Sequence, residues 1–266
     1  YTQHQQGTTS LSGTKTWKDG DKSHNNAAEV TLTLTRKSAQ ANSSVEKVTA
    51  TPEWSDNTYS YKQLPKYDSD GYKYTYDVTE TAPTGYSSTK DGFNFTNVRT
   101  GTCEVTGTKT WLDGGKTHDN ANEVTLTLKR KTKGTEYATV DGVSATWKGD
   151  TYTYSDLPQY DDEGNEYTYQ VNEAKLDGYT SSRVGNTNNF INKSTETVSV
   201  TVQKIWDDNN NSNNKRPNKV TIHLLTNGAK QDPAVEITVN DSWSHTWNSL
   251  PKYDDEGKEI TYGVEE

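Results

Sequence analysis

Apolar and polar residues alternate in short stretches of this chain, and the alternation comes back at regular distances. Val30-Thr31-Leu32-Thr33-Leu34 sets an apolar side chain at every second position, as do Val124–Leu128 and Val220–Leu224. A period of two is that of a strand with one buried face. Around these stretches the same order of elements is predicted each time. A first strand ends at Trp17, Trp111 or Trp206, and a polar loop follows at Asp19–Asn26, Asp113–Asn122 or Asp207–Asn214. After the alternating strand, a variable stretch leads to Trp54, Trp147 or Trp243. Tyr-Asp-any-any-Gly at Tyr67–Gly71, Tyr160–Gly164 and Tyr253–Gly257 has the residues of a hairpin turn. A strand ending at Glu80, Glu173 or Glu266 comes next, and a last strand carries Phe93–Asn97 in the first copy and Asn189–Asn192 in the second.

The copies are three tandem repeats. Gly13-Thr14-Lys15-Thr16-Trp17 returns at Gly107–Trp111 and more loosely at Thr201–Trp206, with the lysines 94 and 95 residues apart. The Leu-Pro-any-Tyr-Asp segments begin at Leu64, Leu157 and Leu250, spaced by 93 and 93. A unit of about this length is one β-sandwich domain, and it exceeds a solenoid or propeller repeat. The predicted division is residues 8–100, 101–194 and 195–266, the last without a final strand. Short connections at the borders place neighbouring repeats end to end. Tyr1–Gly7 loosely resembles Tyr86–Gly92 and Tyr179–Gly185, and reads as a remnant of an upstream repeat.

Composition changes this picture in two ways. Hydrophobic residues make up only 28% of the chain, which on its own would suggest disorder. Seven Trp and 17 Tyr argue instead for small aromatic cores between strands. The net charge of −9 disfavours a nucleic-acid partner or an anionic membrane surface. No apolar run reaches the roughly 18 residues of a membrane span. There is no signal peptide and no wall-sorting motif, so the chain reads as a segment of something longer. Cys103 is the one cysteine and has no internal disulfide partner, which leaves a strand-edge residue or an intermolecular bridge. Thin cores without cystine need another staple.

Strand parity supplies a candidate. Leu11, Gly13, Lys15 and Trp17 share one face, as do Val105, Gly107, Lys109 and Trp111, and Val198, Val200, Val202, Lys204 and Trp206. Each lysine is thus in phase with the apolar side. Glu80 is in phase with Tyr74, Tyr76 and Val78, Glu173 with Tyr167, Tyr169 and Val171, and Glu266 with Ile260, Tyr262 and Val264. Asn97 follows Phe93 and Phe95 in the same way, and Asn192 follows Phe190. Unpaired buried charge is expensive. One reading is that these groups sit at strand ends and snorkel to water. The other is a covalent crosslink. Desolvation lowers a lysine pKa and raises a glutamate pKa. The neutral amine then attacks the asparagine carboxamide, the glutamate shuttles the proton, and ammonia leaves. Such a step happens once per repeat and is maturation, not turnover.

The Lys-any-Trp opening, the Leu-Pro-Lys-Tyr-Asp turn, the Tyr-any-Val-any-Glu strand and the Phe-any-Asn ending resemble CnaB-type domains, the B-type repeats of Gram-positive surface adhesins and pilins. The resemblance covers nearly the whole chain. It implies an all-β fold of tandem Ig-like Greek-key β-sandwiches and a Lys–Asn isopeptide bond with a Glu helper. By position, the implied crosslinks are Lys15–Asn97 with Glu80 and Lys109–Asn192 with Glu173. Lys204 and Glu266 match in the third repeat, with no partner asparagine in this sequence.

Other signals are weaker. Asp68–Gly71 and Asp161–Gly164 lack the spacing of a calcium loop and read as β-turns. His24 and His118 occupy equivalent loop positions and read as loop hydrogen-bonding groups, so no metal site and no cofactor is expected. The tryptophans could form a sugar platform, but their fixed places in the repeat fit core packing. No Ser/His/Asp, Cys/His or metal cluster recurs, so no turnover enzyme is expected. The function implied is a structural stalk of a bacterial surface adhesin or pilin. It would be extracellular, anchored to the cell wall through parts not present here, with neighbouring repeats as its partners. Direct binding of host matrix protein or glycan, or an accessory role to a secreted glycan-active enzyme, is the alternative.

Overall fold

The computed structural model describes residues 2–266; Tyr1, the first residue of the segment read as a remnant, lies outside the described residues. The chain is almost wholly β, as the alternation predicted. In repeat one the opening strand Thr8–Lys18 is the middle of a five-stranded sheet. Thr58–Pro65 and then Glu53–Ser55 lie on one side of it, and the asparagine strand Asn94–Arg99 and then the serine strand Tyr86–Asp91 on the other. A second sheet runs Glu46–Val48, Thr31–Ser38 and the glutamate strand Tyr74–Thr81. The opening and asparagine strands pair in parallel, with Lys15 opposite Phe95 and Trp17 opposite Asn97.

The core of this repeat is Leu34, Tyr59, Tyr61, Leu64, Val78 and Phe95. It is small and rich in rings; among the described residues the Tyr61 hydroxyl is buried without a hydrogen-bond partner, whereas Tyr59 finds one. The Tyr59 hydroxyl donates to the Phe93 carbonyl at 2.6 Å. Gly13 leaves the room for that bond: a Cβ there would stand 1.9 Å from the Phe93 oxygen and 2.7 Å from the Tyr59 hydroxyl. Alternation in the opening strand is as read, with Gly13 and Lys15 buried and Ser12, Thr14 and Thr16 exposed.

Repeat two has the same two sheets. The five-stranded one runs Thr146–Lys148, Thr151–Pro158, Thr102–Leu112, Phe190–Ser194, Tyr179–Arg183, and the other Ala138–Thr139, Leu126–Lys131, Thr168–Glu173. In repeat three, among the described residues, Thr197–Gln203 pairs only with Ser244–Pro251, and Val220–Thr226 pairs with Ala229–Lys230, Val235–Ile237 and Tyr262–Glu265. By contacts the chain divides into two compact units, with Lys15, Glu80 and Asn97 in one and Lys109, Glu173 and Asn192 in the other.

Two local features differ from the sequence reading. The polar loops after Trp17 and Trp111 each contain one turn of helix, Asn26–Glu29 and Asn120–Glu123. A turn this short has no periodicity to read; the Glu29 and Glu123 carboxylates hold it by accepting the backbone N–H of Asn25 and Asp119. The opening strand of repeat three stops at Gln203, short of Lys204 and Trp206, because among the described residues no strand pairs with its other edge. The Tyr-Asp-any-any-Gly segments are the turns expected. Asp68 Oδ1 accepts from Asp70 N at 2.9 Å and from Tyr72 N at 2.8 Å, and Asp161 and Asp254 do the same in their repeats. Among the described residues, no helix is long and apolar enough to cross a membrane.

Candidate functional site

The three polar residues that parity turned inward come together in repeat one. Lys15 is 3% exposed and Asn97 is 0% exposed. Lys15 Nζ lies 2.5 Å from Glu80 Oε2, and Asn97 Nδ2 donates to the same oxygen at 3.3 Å. Each side chain is placed by a different strand: Lys15 by the opening strand, Asn97 by its parallel neighbour, and Glu80 by the facing sheet. Repeat two brings lysine and glutamate together in the same way, without the hydrogen bond from the asparagine. Lys109 is 2% exposed, and its Nζ lies 2.8 Å from Glu173 Oε1 and 2.5 Å from Oε2. Asn192 is 0% exposed and sits opposite Trp111 in the parallel pair, as Asn97 sits opposite Trp17.

These are groups under chemical tension. Among the described residues, Asn97 Oδ1 and both polar atoms of Asn192 are buried with no hydrogen-bond partner. An unmet carboxamide in a dry core costs about 1–3 kcal/mol. Burial pushes the lysine pKa below its ordinary value at both Lys15 and Lys109, against the hydrogen bond and charge of the glutamate, which work the other way. Moving one proton across the short Lys–Glu contact turns an ion pair into a neutral amine beside a carboxylic acid. The amine is then a nucleophile next to an amide whose oxygen has nothing to hold it. A tryptophan walls the lysine in each site: Lys15 Nζ is 4.7 Å from the Trp17 ring centroid and Lys109 Nζ is 5.0 Å from that of Trp111.

Repeat three departs from the inward placement expected of Lys204 and Glu266. They pair at 2.8 Å, but their side chains are 25% and 53% exposed. Val264, in phase with Glu266, is exposed as well. Parity aims these residues, but among the described residues the opening strand has a partner on one side only, and no strand covers them.

Sequence reasoning also passed over residues around the site. Ser88 and Ser181 each donate to the glutamate Oε1 at 2.6 Å. Buried Asp19 accepts from the Tyr86 hydroxyl at 2.6 Å and lies 2.5 Å from His24 Nε2; Asp113, Tyr179 and His118 repeat the arrangement. His24 and His118 are therefore hydrogen-bonding loop residues, as expected, but they also stack on Trp17 and Trp111 with centroids 3.7 and 3.6 Å apart. In repeat three Arg216 takes this place, 2.6 Å from Asp208 and 5.2 Å from the Trp206 ring. The signal available in the sequence was only recurrence, Tyr86-Ser87-Ser88 against Tyr179-Thr180-Ser181. Cys103 is half-buried in its strand and unpaired.

Tandem sandwiches, each opening on a lysine that faces a glutamate, define a class of repeat-built proteins. The model of the Cna protein B-type domain matches residues 11–98, 105–193 and 200–266, and the chain belongs to that family. It is 35% identical over 268 residues to the collagen adhesin of Staphylococcus aureus, a match that covers 97% of this chain and 22% of that protein. The chain thus spans about a fifth of the length of this curated relative. Among solved structures, it is similar to two B repeat units of the collagen binding protein of Staphylococcus aureus. That match has 32% identity and a TM-score of 0.34, over 97% of this chain and 68% of the other. The major pilin subunit of Bacillus cereus matches at 12% identity and a TM-score of 0.27, over 98% and 87%.

Proposed function

We propose that the chain is a structural stalk segment of a bacterial cell-surface adhesin or pilin, in which repeats one and two each close an autocatalytic isopeptide bond. The bonds are Lys15–Asn97 and Lys109–Asn192, with Glu80 and Glu173 moving the proton. The observation that carries this reading is one carboxylate oxygen contacted by both a buried lysine amine and a buried asparagine carboxamide in repeat one. Family membership and the collagen adhesin relative support the surface role. The segment is extracellular in this reading, with neighbouring repeats as its partners and wall anchoring supplied by other parts of the parent protein. It performs no turnover.

The chemistry suits the task. Lys15 and Asn97 are 82 residues apart, and Lys109 and Asn192 are 83 apart. A crosslink closing a loop of that size contributes about 4.5 kcal/mol by the chain-entropy estimate used for disulfides. It also joins two neighbouring strands near the start and end of each repeat, so tension along the chain loads a covalent bond instead of the hydrogen-bond ladder. Intact-mass measurement tests the reading. The chain is expected to weigh less than its sequence by two ammonia molecules, and Glu80→Ala or Glu173→Ala by only one. An unshifted wild-type mass refutes the crosslinks; two losses in either variant refute the role of the glutamate.

A further inference from the structure

Glu80 has two oxygens, and they face different partners. Oε2 meets Lys15 Nζ and Asn97 Nδ2, whereas Oε1 accepts a hydrogen bond of 2.6 Å from Ser88 Oγ. In repeat two Ser181 Oγ donates to Glu173 Oε1 at the same distance, sharing that oxygen with Lys109. The serines hold this place through sheet register: Ser88 pairs with Asn97 and Ser181 with Asn192, each directly across from the asparagine. A hydroxyl gains nothing from a half-buried strand position unless it finds a partner, and here it finds the one carboxylate that touches the amine.

The strand that carries the serine is itself pinned. Two residues before it, Tyr86 or Tyr179 donates its hydroxyl to Asp19 or Asp113, at 2.6 and 2.7 Å. That aspartate follows the opening strand and is also bonded by the histidine stacked on Trp17 or Trp111. The clasp therefore ties the end of the lysine strand to the beginning of the serine strand. It fixes both the tryptophan that walls the amine and the serine that orients the acid.

We propose that Ser88 and Ser181 are positioning residues for closure of the isopeptide bond. By occupying Oε1, the hydroxyl directs the proton accepted from lysine to Oε2, the oxygen that in repeat one faces both reacting groups and in repeat two lies nearer the lysine amine, at 2.5 Å against 2.8 Å. The inference rests on the reading of the preceding section, since it assigns a part in that reaction. Glu80 takes a proton from Lys15 Nζ on Oε2, and the neutral amine adds to Asn97 Cγ. The bond from Cγ to Nδ2 breaks as the glutamate relays a proton from the attacking nitrogen to the departing one. Ammonia leaves and the serine is unchanged. A carboxyl free to turn would offer the proton to the wrong side for part of the time.

Repeat two serves as the internal clock for a change in repeat one, because Lys15, Glu80 and Asn97 lie in one compact unit and Lys109, Glu173 and Asn192 in the other. The full chain is made by cell-free translation and quenched at intervals, and closure of each repeat is read from the masses of its crosslinked peptides. Ser88→Val removes the hydroxyl and introduces a β-branched shape; Ser88→Thr carries the hydroxyl on that same shape. Ser88→Val is expected to slow repeat one by about ten- to a hundredfold relative to repeat two, the range for a misplaced proton-transfer group. Ser88→Thr is expected to return it to near the wild-type rate. Ser181→Ala, a smaller change, is expected to slow repeat two with repeat one as the reference, and it decides the matter if Ser88→Val does not fold. Valine and alanine variants that close at the wild-type rate, or a threonine variant as slow as the valine one, overturn this inference alone. A wild-type chain that loses no ammonia in either repeat overturns both this inference and the reading it rests on.

Discussion

Asn97→Ala is the cleanest way to weigh the crosslink in repeat one. It removes the electrophile and leaves Lys15 and Glu80 paired at 2.5 Å, so no buried charge is stranded. Two losses follow. Opening an 82-residue loop costs about 4.5 kcal/mol in the chain-entropy estimate. The carboxamide's one hydrogen bond, 3.3 Å long to Glu80, adds about 0.5–1 kcal/mol at most. A domain of this size has an unfolding entropy of about 0.2 kcal/mol per degree, so the loss translates to a fall of about 20 °C or more in the melting temperature of repeat one. Differential scanning calorimetry on the full chain reads this, with repeat two as the internal reference and intact mass confirming that one ammonia loss has disappeared. A variant that has lost its crosslink by mass yet melts within about 5 °C of the wild type would refute the reasoning, because the closed loop would then contribute almost nothing.

Two further outcomes are expected. Gly13→Ala forces a Cβ to within 1.9 Å of the Phe93 carbonyl oxygen and 2.7 Å of the Tyr59 hydroxyl, so repeat one is expected to lose about 1–3 kcal/mol, measured by urea unfolding of the Asn97→Ala background, where closure does not mask it. The Asp19 carboxyl lies below its usual value: burial opposes its charge, and hydrogen bonds from Tyr86 and His24 outweigh that cost. A depressed native pKa means the unfolded chain takes up the proton first as pH falls. The contribution is therefore full above the unfolded value of about 3.8 and is lost as pH drops through the native one. Asp19→Asn is accordingly expected to lower the melting temperature near neutral pH, with the gap to wild type closing below about pH 4; a gap that does not change with pH contradicts the assignment.

Much of this architecture could be read from the sequence because its polar residues occupy strands with a clear apolar phase. Lys15 follows Leu11 and Gly13, Glu80 follows Tyr76 and Val78, and Asn97 follows Phe95; in each case the neighbours declare which face is inward. Ser88 has no such neighbours. Its strand, Tyr86-Ser87-Ser88-Thr89-Lys90, has one aromatic ring and then polar residues that suit either face, so only the register against Asn97 reveals it. His24 and Asp19 lie in a loop, where parity says nothing; their meeting with Tyr86 depends on the return of a strand 67 residues beyond Asp19. Glu266 shows the reverse limit. Its phase points inward, yet burial also needs a second neighbour for Thr197–Gln203, which is a property of the sheet and not of the strand.

The parallel pairing of the opening and asparagine strands has one more consequence. Everything between them, from the helical turn at Asn26–Glu29 to the hairpin at Tyr67–Gly71, hangs as a side branch once Lys15 and Asn97 are joined. A protease that cuts an exposed loop there, such as the stretch around Gln40 to Val45, severs the main chain without releasing a fragment. With both proposed bonds closed, whatever lies beyond either end would stay attached, and one nick between Lys15 and Asn97 with another between Lys109 and Asn192 would leave the molecule in one piece.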